Sequence, residues 1–128
     1  MSNRNPSKND VERFLLQKID SVPHLEALLL LWNTRPKQWS VSDLEKRLFV
    51  SPGACRMVVE DLLRAGIIAG TSATTCAYAE EPDRDRILAD LDFAYRHELI
   101  RITRLIHSKP SPAVRAFARA FQFKKGED

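Results

Sequence analysis

Apolar residues recur along this chain at changing intervals, and the changes mark its elements. Val11, Phe14, Leu15 and Ile19 fall every three or four positions behind Asp10. That spacing predicts a short amphipathic helix over Val11–Ile19, with the aspartate as its N-cap. Ser21–Pro23 interrupts it, and Pro23 suits the first turn of the next helix. His24–Asn33 holds Leu25, Leu28, Leu29, Leu30, Leu31 and Trp32, too apolar all round for a surface helix, so a core helix is predicted. It ends ahead of Pro36, because the residue before a proline is pushed out of the helical region. Trp39 then makes a short strand or packs on the core.

The next stretch carries the strongest local signals. Ser42 with Glu45 three residues on forms a capping-box pattern, and Leu44 and Leu48 face inward. Phe49-Val50 is the turn, with Val50 plugging the core. Ser51-Pro52 opens a second helix, serine as N-cap and proline at the first helical position. Cys55, Val59 and Leu62 form its inner face, and Gly66 supplies the left-handed stop after Ala65. Ile67–Gly70 and Cys76–Ala79 flank the polar loop Thr71–Thr75 and read as a β-hairpin.

From Pro82 the periodicity changes again. Leu88, Leu91, Tyr95, Leu99, Ile102 and Ile106 recur at intervals of three, four, four, three and four. This heptad-like stripe predicts one continuous helix to about His107, with Phe93 and Ile100 on a second edge. A helix of about 25 residues spans about 37 Å, more than a small domain covers, so these six residues are the expected dimerisation seam. Folding back on the same domain is the alternative. Lys109-Pro-Ser-Pro112 breaks the helix, Ser111 can cap a last one, and Phe117 and Phe121 share a face of it.

The motif over Leu25–Ala79 resembles the winged helix-turn-helix domains of the MarR and ArsR type of bacterial regulators. The resemblance rests on Ser51…Cys55-Arg56…Val59…Leu62…Gly66-Ile67-Ile68, similar to their Ser…Val-Ser-Arg…Leu…Leu…Gly-Leu-Ile pattern. Cys55 departs from the usual valine, and the wing loop lacks the usual basic residues. The C-terminal stretch from Ile100 is similar to small uncharacterised bacterial proteins. The expected fold is mainly α with a small β-hairpin wing (α+β). The expected domains are a disordered polar tail over residues 1–9, a winged-helix domain with an extra N-terminal helix over residues 10–80, and a C-terminal helical dimerisation extension over residues 82–123.

The resemblance implies sequence-specific binding of double-stranded DNA by a homodimeric transcription regulator. The outward positions near the start of the second helix are then Ser51, Pro52, Gly53, Arg56, Met57 and Glu60. Arg56 suits bidentate reading of guanine and Met57 contact with a thymine methyl. Ser51 and the amides at the helix start suit a phosphate. Lys37, Lys46 and Arg47 are the nearest candidates for the phosphate backbone. Glu60, Asp61 and the uncharged wing loop point the other way, toward a protein-interaction module, because DNA affinity rests largely on phosphate neutralisation.

Composition adds an asymmetry. The formal net charge of the 128 residues is only +3. Yet Glu80–Asp92 carries six acids against Arg84 and Arg86, while Arg96–Lys125 carries eight lysines and arginines against Glu98. That split suits an anionic partner, an acidic patch on another copy, or two solvated helix faces. Phe117, Phe121 and Phe123 among the C-terminal bases suit a docked tail better than a membrane-surface helix. Cys55 and Cys76 read as free thiols of a reducing cytoplasm, with a redox link between helix and wing as the lesser alternative. No apolar run approaches the length of a membrane span. His24, His97 and His107 show no metal-ligand spacing, and the four glycines form no phosphate-cradling loop. No enzyme activity, cofactor or metal is expected.

Overall fold

The computed structural model describes residues 8–109. Six helices and a three-stranded sheet follow in the order α1 (Lys8–Lys18), α2 (Val22–Thr34), β1 (Trp39–Ser40), α3 (Val41–Leu48), α4 (Pro52–Arg64), β2 (Ile68–Gly70), β3 (Thr75–Tyr78), α5 (Pro82–His97) and α6 (Leu99–His107). The predicted break at Lys109–Pro112 and the helix carrying Phe117 and Phe121 lie outside the described residues, as does most of the polar tail.

Helix α2 is the centre of the packing. Leu25, Ala27, Leu28, Leu29, Leu31 and Trp32 are all buried, and α3, α4, β3 and α5 pack around them. Burial of each such leucine contributes about 1.5–3 kcal/mol. Ser21 caps α2, its Oγ accepting from the His24 amide, and Pro23 lies in the first turn. Trp32 meets Tyr78 of β3 edge-to-face, with ring centroids 5.3 Å apart, which joins α2 to the sheet.

The helix-turn-helix follows the sequence with one shift of cap. Ser40, not Ser42, caps α3: its Oγ accepts from the Asp43 amide while Ser42 is exposed. Ser40 ends β1 in extended backbone, the conformation an N-cap needs, and the helix already starts at Val41. Ser51 caps α4 and Pro52 takes its first turn, as expected. Gly66 adopts φ +77° after α4, the left-handed stop expected of it. Asp10 lies within α1 rather than capping it, and pairs with Arg13 at 3.0 Å.

The strands form an antiparallel sheet of order β1-β3-β2. Trp39 both pairs with Cys76 in that sheet and buries its ring. The wing loop is closed by its own hydroxyls: Thr75 Oγ1 lies 2.6 Å from Thr71 Oγ1 and 2.8 Å from Ser72 Oγ.

The expectation of one long helix after Pro82 is corrected. At Glu98 the backbone turns to φ −134°, ψ 48°, dividing the segment into α5 and α6. The change of direction lets Leu88 and Leu91 of α5 and Ile102 and Ile106 of α6 all bury in the core of their own chain, with α1 packed on both helices. A straight helix would carry its second half away from that core. Ion pairs from Arg101 to Glu12 at 2.9 Å and to Glu98 at 2.5 Å hold the bend. Four of the six expected seam residues are therefore buried within one chain. Tyr95 is half-buried with its hydroxyl on Glu26, and Leu99 remains 50% exposed. The apolar edge left open is Phe93, Leu99 and Ile100. No helix among the described residues is long and apolar enough to cross a membrane.

Two features of this fold are directly testable. Phe49, in the turn between α3 and α4, has φ 56° and is 93% exposed. A bulky residue in the left-handed region is strained, whereas asparagine tolerates it, so Phe49→Asn should raise the unfolding free energy by about 0.5–1 kcal/mol in urea titrations. A destabilised variant would mean that the ring packs on the fold. Asp61 of α4 hydrogen-bonds to His24 Nε2 of α2 at 2.8 Å and to Arg64 at 2.8 Å. Burial works to raise its pKa, but those two partners outweigh burial and hold it below its ordinary 3.8. The stabilisation is then complete above the ordinary carboxylate pKa and lost as pH falls through the lowered value. Asp61→Asn should flatten that part of the acid limb in urea titrations run from neutral pH to about pH 3; an unchanged limb would assign the acid sensitivity elsewhere.

Candidate nucleic-acid interface

The two faces of α4 have opposite characters. Cys55, Val58, Val59 and Leu62 are buried against the rest of the fold. Pro52, Gly53, Arg56, Met57 and Glu60 are exposed, as is the cap Ser51. One helix turn separates Gly53 from Arg56 and Met57, so these side chains and the bare Gly53 backbone share the protruding end of the helix. A Cβ built on Gly53 would meet nothing within 4 Å. The surface there is open to close approach.

Among the described residues, no ion pair holds Arg56, Lys46 or Arg47, and all three are exposed. Lys46 and Arg47 lie in the last turn of α3, next to the start of α4. Lys37, in the loop before β1, places its ammonium 4.1 Å from the centroid of the Trp39 ring. That contact steadies the lysine stem and leaves the residue exposed. The fold thus brings Arg56 and Met57 to one protruding face and Lys46 and Arg47 to the adjoining helix. Lys37 stands apart, beside the sheet.

The two acids of α4 differ in position. Glu60 is exposed on the outer face, but Asp61 turns inward to a hydrogen bond with His24 and is paired with Arg64. Its register carried a signal: Val58, three residues earlier, and Leu62 are buried, so Asp61 flanks the inner stripe. The opposing charge on the outer face is therefore one carboxylate rather than two.

Other features were missed because their partners lie far apart in sequence. An open groove of about 480 Å³ lies between α2, the end of α3 and α5. Leu29, Leu30 and Leu48 line it, with Tyr95, Arg96 and Phe49 also at its wall. The Tyr95 hydroxyl donates to Glu26 across 69 residues of sequence. Burial, with the Glu26 carboxylate beside it, pushes the Tyr95 pKa up to about 12, so the phenol stays protonated and a donor. Lys109 reaches back to the carbonyls of Leu15, at 3.1 Å, and Ile19, covering the end of α1.

Cys55 of α4 and Cys76 of β3 are both buried free thiols. Burial pushes both pKa values up, with the Glu45 charge adding to the effect at Cys55 and the neighbouring Cys55 at Cys76. A raised pKa withholds the thiolate, so both act as small apolar core residues.

No protein-family model matches the sequence, and no curated protein matches it. The fold, however, is similar to that of the multiple antibiotic-resistance repressor (MarR) from Listeria monocytogenes 4b F2365. That likeness has a TM-score of 0.51 at 14% identity and covers 91% of this chain and 80% of the repressor. RV1404 from Mycobacterium tuberculosis is similar at the same TM-score of 0.51 and 22% identity, over 90% of this chain and 80% of that one. With its three-stranded antiparallel sheet packed on a capped helix-turn-helix, the chain has a mainly α winged-helix fold similar to that of both structures.

Proposed function

We propose that the chain is a homodimeric DNA-binding transcription regulator that places the start of α4 in the major groove. The observation that carries this reading is the division of α4: the inner face is locked in the core, while Arg56, Met57 and Gly53 protrude with no competing ion pair among the described residues. Similarity of the fold to a repressor structure supports it. Arg56 reads guanine O6 and N7, and Met57 meets a thymine methyl. Ser51 and the Gly53 amide approach a phosphate, with Lys37, Lys46 and Arg47 along the backbone. Pro52 shapes the helix start, and Glu60 selects against a misplaced phosphate or accepts from a cytosine amine. In this reading the protein works in the bacterial cytoplasm, where Cys55 and Cys76 stay reduced.

The second copy is proposed to dock on the edge left open by the bend at Glu98, namely Phe93, Leu99 and Ile100, with Tyr95 beside it. Leu88, Leu91, Ile102 and Ile106 support that edge from within the core. An adaptor role is the second reading, favoured by the exposed Phe49 ring and a wing loop without lysine or arginine.

Fluorescence anisotropy on random duplexes across a salt series decides between them. Three backbone cations on each of two protomers predict a slope of log K against log salt near about −5. Arg56→Ala should weaken specific binding by about 1–3 kcal/mol. Absence of binding at low salt would remove the DNA reading and leave the adaptor. Light scattering at micromolar concentration should give a dimer mass for the wild type and a monomer for Leu99→Asp/Ile100→Asp; a wild-type monomer rejects the dimer.

A further inference from the structure

A second cluster lies away from the exposed face of α4. Asp20, in the link between α1 and α2, His24, in the first turn of α2, and Asp61 of α4 offer donor atoms that all lie within 4.8 Å of one another. His24 Nε2 and Asp61 Oδ2 are 2.8 Å apart. We propose that these three residues form a binding site for a divalent first-row transition ion of the Zn²⁺ or Co²⁺ class.

The chemistry of the donors sets the class. One imidazole nitrogen with two carboxylates is a borderline set that suits such ions better than Mg²⁺ or Ca²⁺, which favour oxygen alone. Ligand distances of about 2.0–2.2 Å in a tetrahedral shell put neighbouring donors about 3.4 Å apart. The His24–Asp61 contact of 2.8 Å has to open by a fraction of an ångström to admit an ion, and Asp20, within 4.8 Å, has to close by a side-chain adjustment.

The ligand atoms are also oriented from behind. Ser21 Oγ lies 2.6 Å from His24 Nδ1, so Nε2 is the nitrogen turned to the cluster. Arg64 holds Asp61 Oδ1 at 2.8 Å and leaves Oδ2 on the imidazole side. Outer partners of this kind fix ring and carboxylate orientation in metal sites. The His24 side chain is only 9% exposed, while the Asp61 and Asp20 side chains keep 26% and 30%. Buried nitrogen and wetter oxygens leave an entry path and room for water as further ligands. Arg64, and Lys109 with its Nζ 3.6 Å from Asp20 Oδ1, offset the carboxylate charge, so binding is weaker than at two bare carboxylates.

The ion would join α4 to the start of α2 without touching Arg56 or Met57. It is therefore a device for stiffening the seat of α4 from behind. Its test needs no DNA. Metal-stripped, untagged full-length protein is titrated with Co²⁺, followed by visible absorption, and with Zn²⁺, followed by the thermal unfolding midpoint. One ion per chain should bind saturably and raise the midpoint. Asp20→Asn, in a partly exposed link, and Asp61→Asn, which keeps a hydrogen-bonding side chain, should each weaken binding about tenfold or more. His97→Ala/His107→Ala should leave it unchanged. Circular dichroism of the apo variants separates lost binding from lost folding, and Asp20→Asn alone suffices if Asp61→Asn unfolds. No saturable binding up to millimolar Co²⁺, full binding by folded Asp20→Asn, or loss in the His97/His107 variant would each overturn the assignment.

Discussion

Everything in this fold leans on the burial of α2. It is apolar around most of its circumference, and α3, α4, β3 and α5 cover it except along the open groove where Glu26 and Asn33 are exposed. Interiors this closely packed resist small shifts, and the orientation of α4 is fixed by how Cys55, Val58, Val59 and Leu62 seat in the core. The protruding end of α4 owes its presentation to that buried face. Its own exposed residues do little to hold it.

Polar contacts then refine what apolar packing establishes. His24 is the buried polar side chain on α2, and its bonds to Ser21 and Asp61 satisfy both ring nitrogens. A buried imidazole without partners would cost stability, so the inward turn of Asp61 answers a requirement of the core. The same turn takes one negative charge away from the outer face of α4. Core satisfaction and surface electrostatics are thus decided by one side chain.

The bend at Glu98 is a comparable compromise. Two short helices bury Leu88, Leu91, Ile102 and Ile106 against α1 and the core, where one long helix would leave half of them in water. Apolar area is conserved only in part, because Phe93, Leu99 and Ile100 stay outside. An open edge of that kind is what an interacting surface looks like.

Local chemistry was legible in the sequence wherever cause and effect lie within a few residues. Ser51-Pro52, the Cys55–Leu62 stripe and Gly66 determine α4 and its stop, because capping, proline geometry and the left-handed turn are properties of neighbouring backbone atoms. The core character of α2 and the outward positions Arg56 and Met57 follow from periodicity in the same way. Choosing Ser40 over Ser42 needed the end of β1, which exists only through its pairing with Cys76 in β3. The Leu88–Ile106 stripe has one spacing whether it pairs with a second copy or folds on its own chain; the bend at Glu98 buries Leu88, Leu91, Ile102 and Ile106 within the chain and leaves Leu99 exposed. The meeting of His24 with Asp61 spans 37 residues, and that of Tyr95 with Glu26 spans 69. A hydrogen bond forms only between atoms that packing has already brought together, and at those separations no local pattern encodes the meeting.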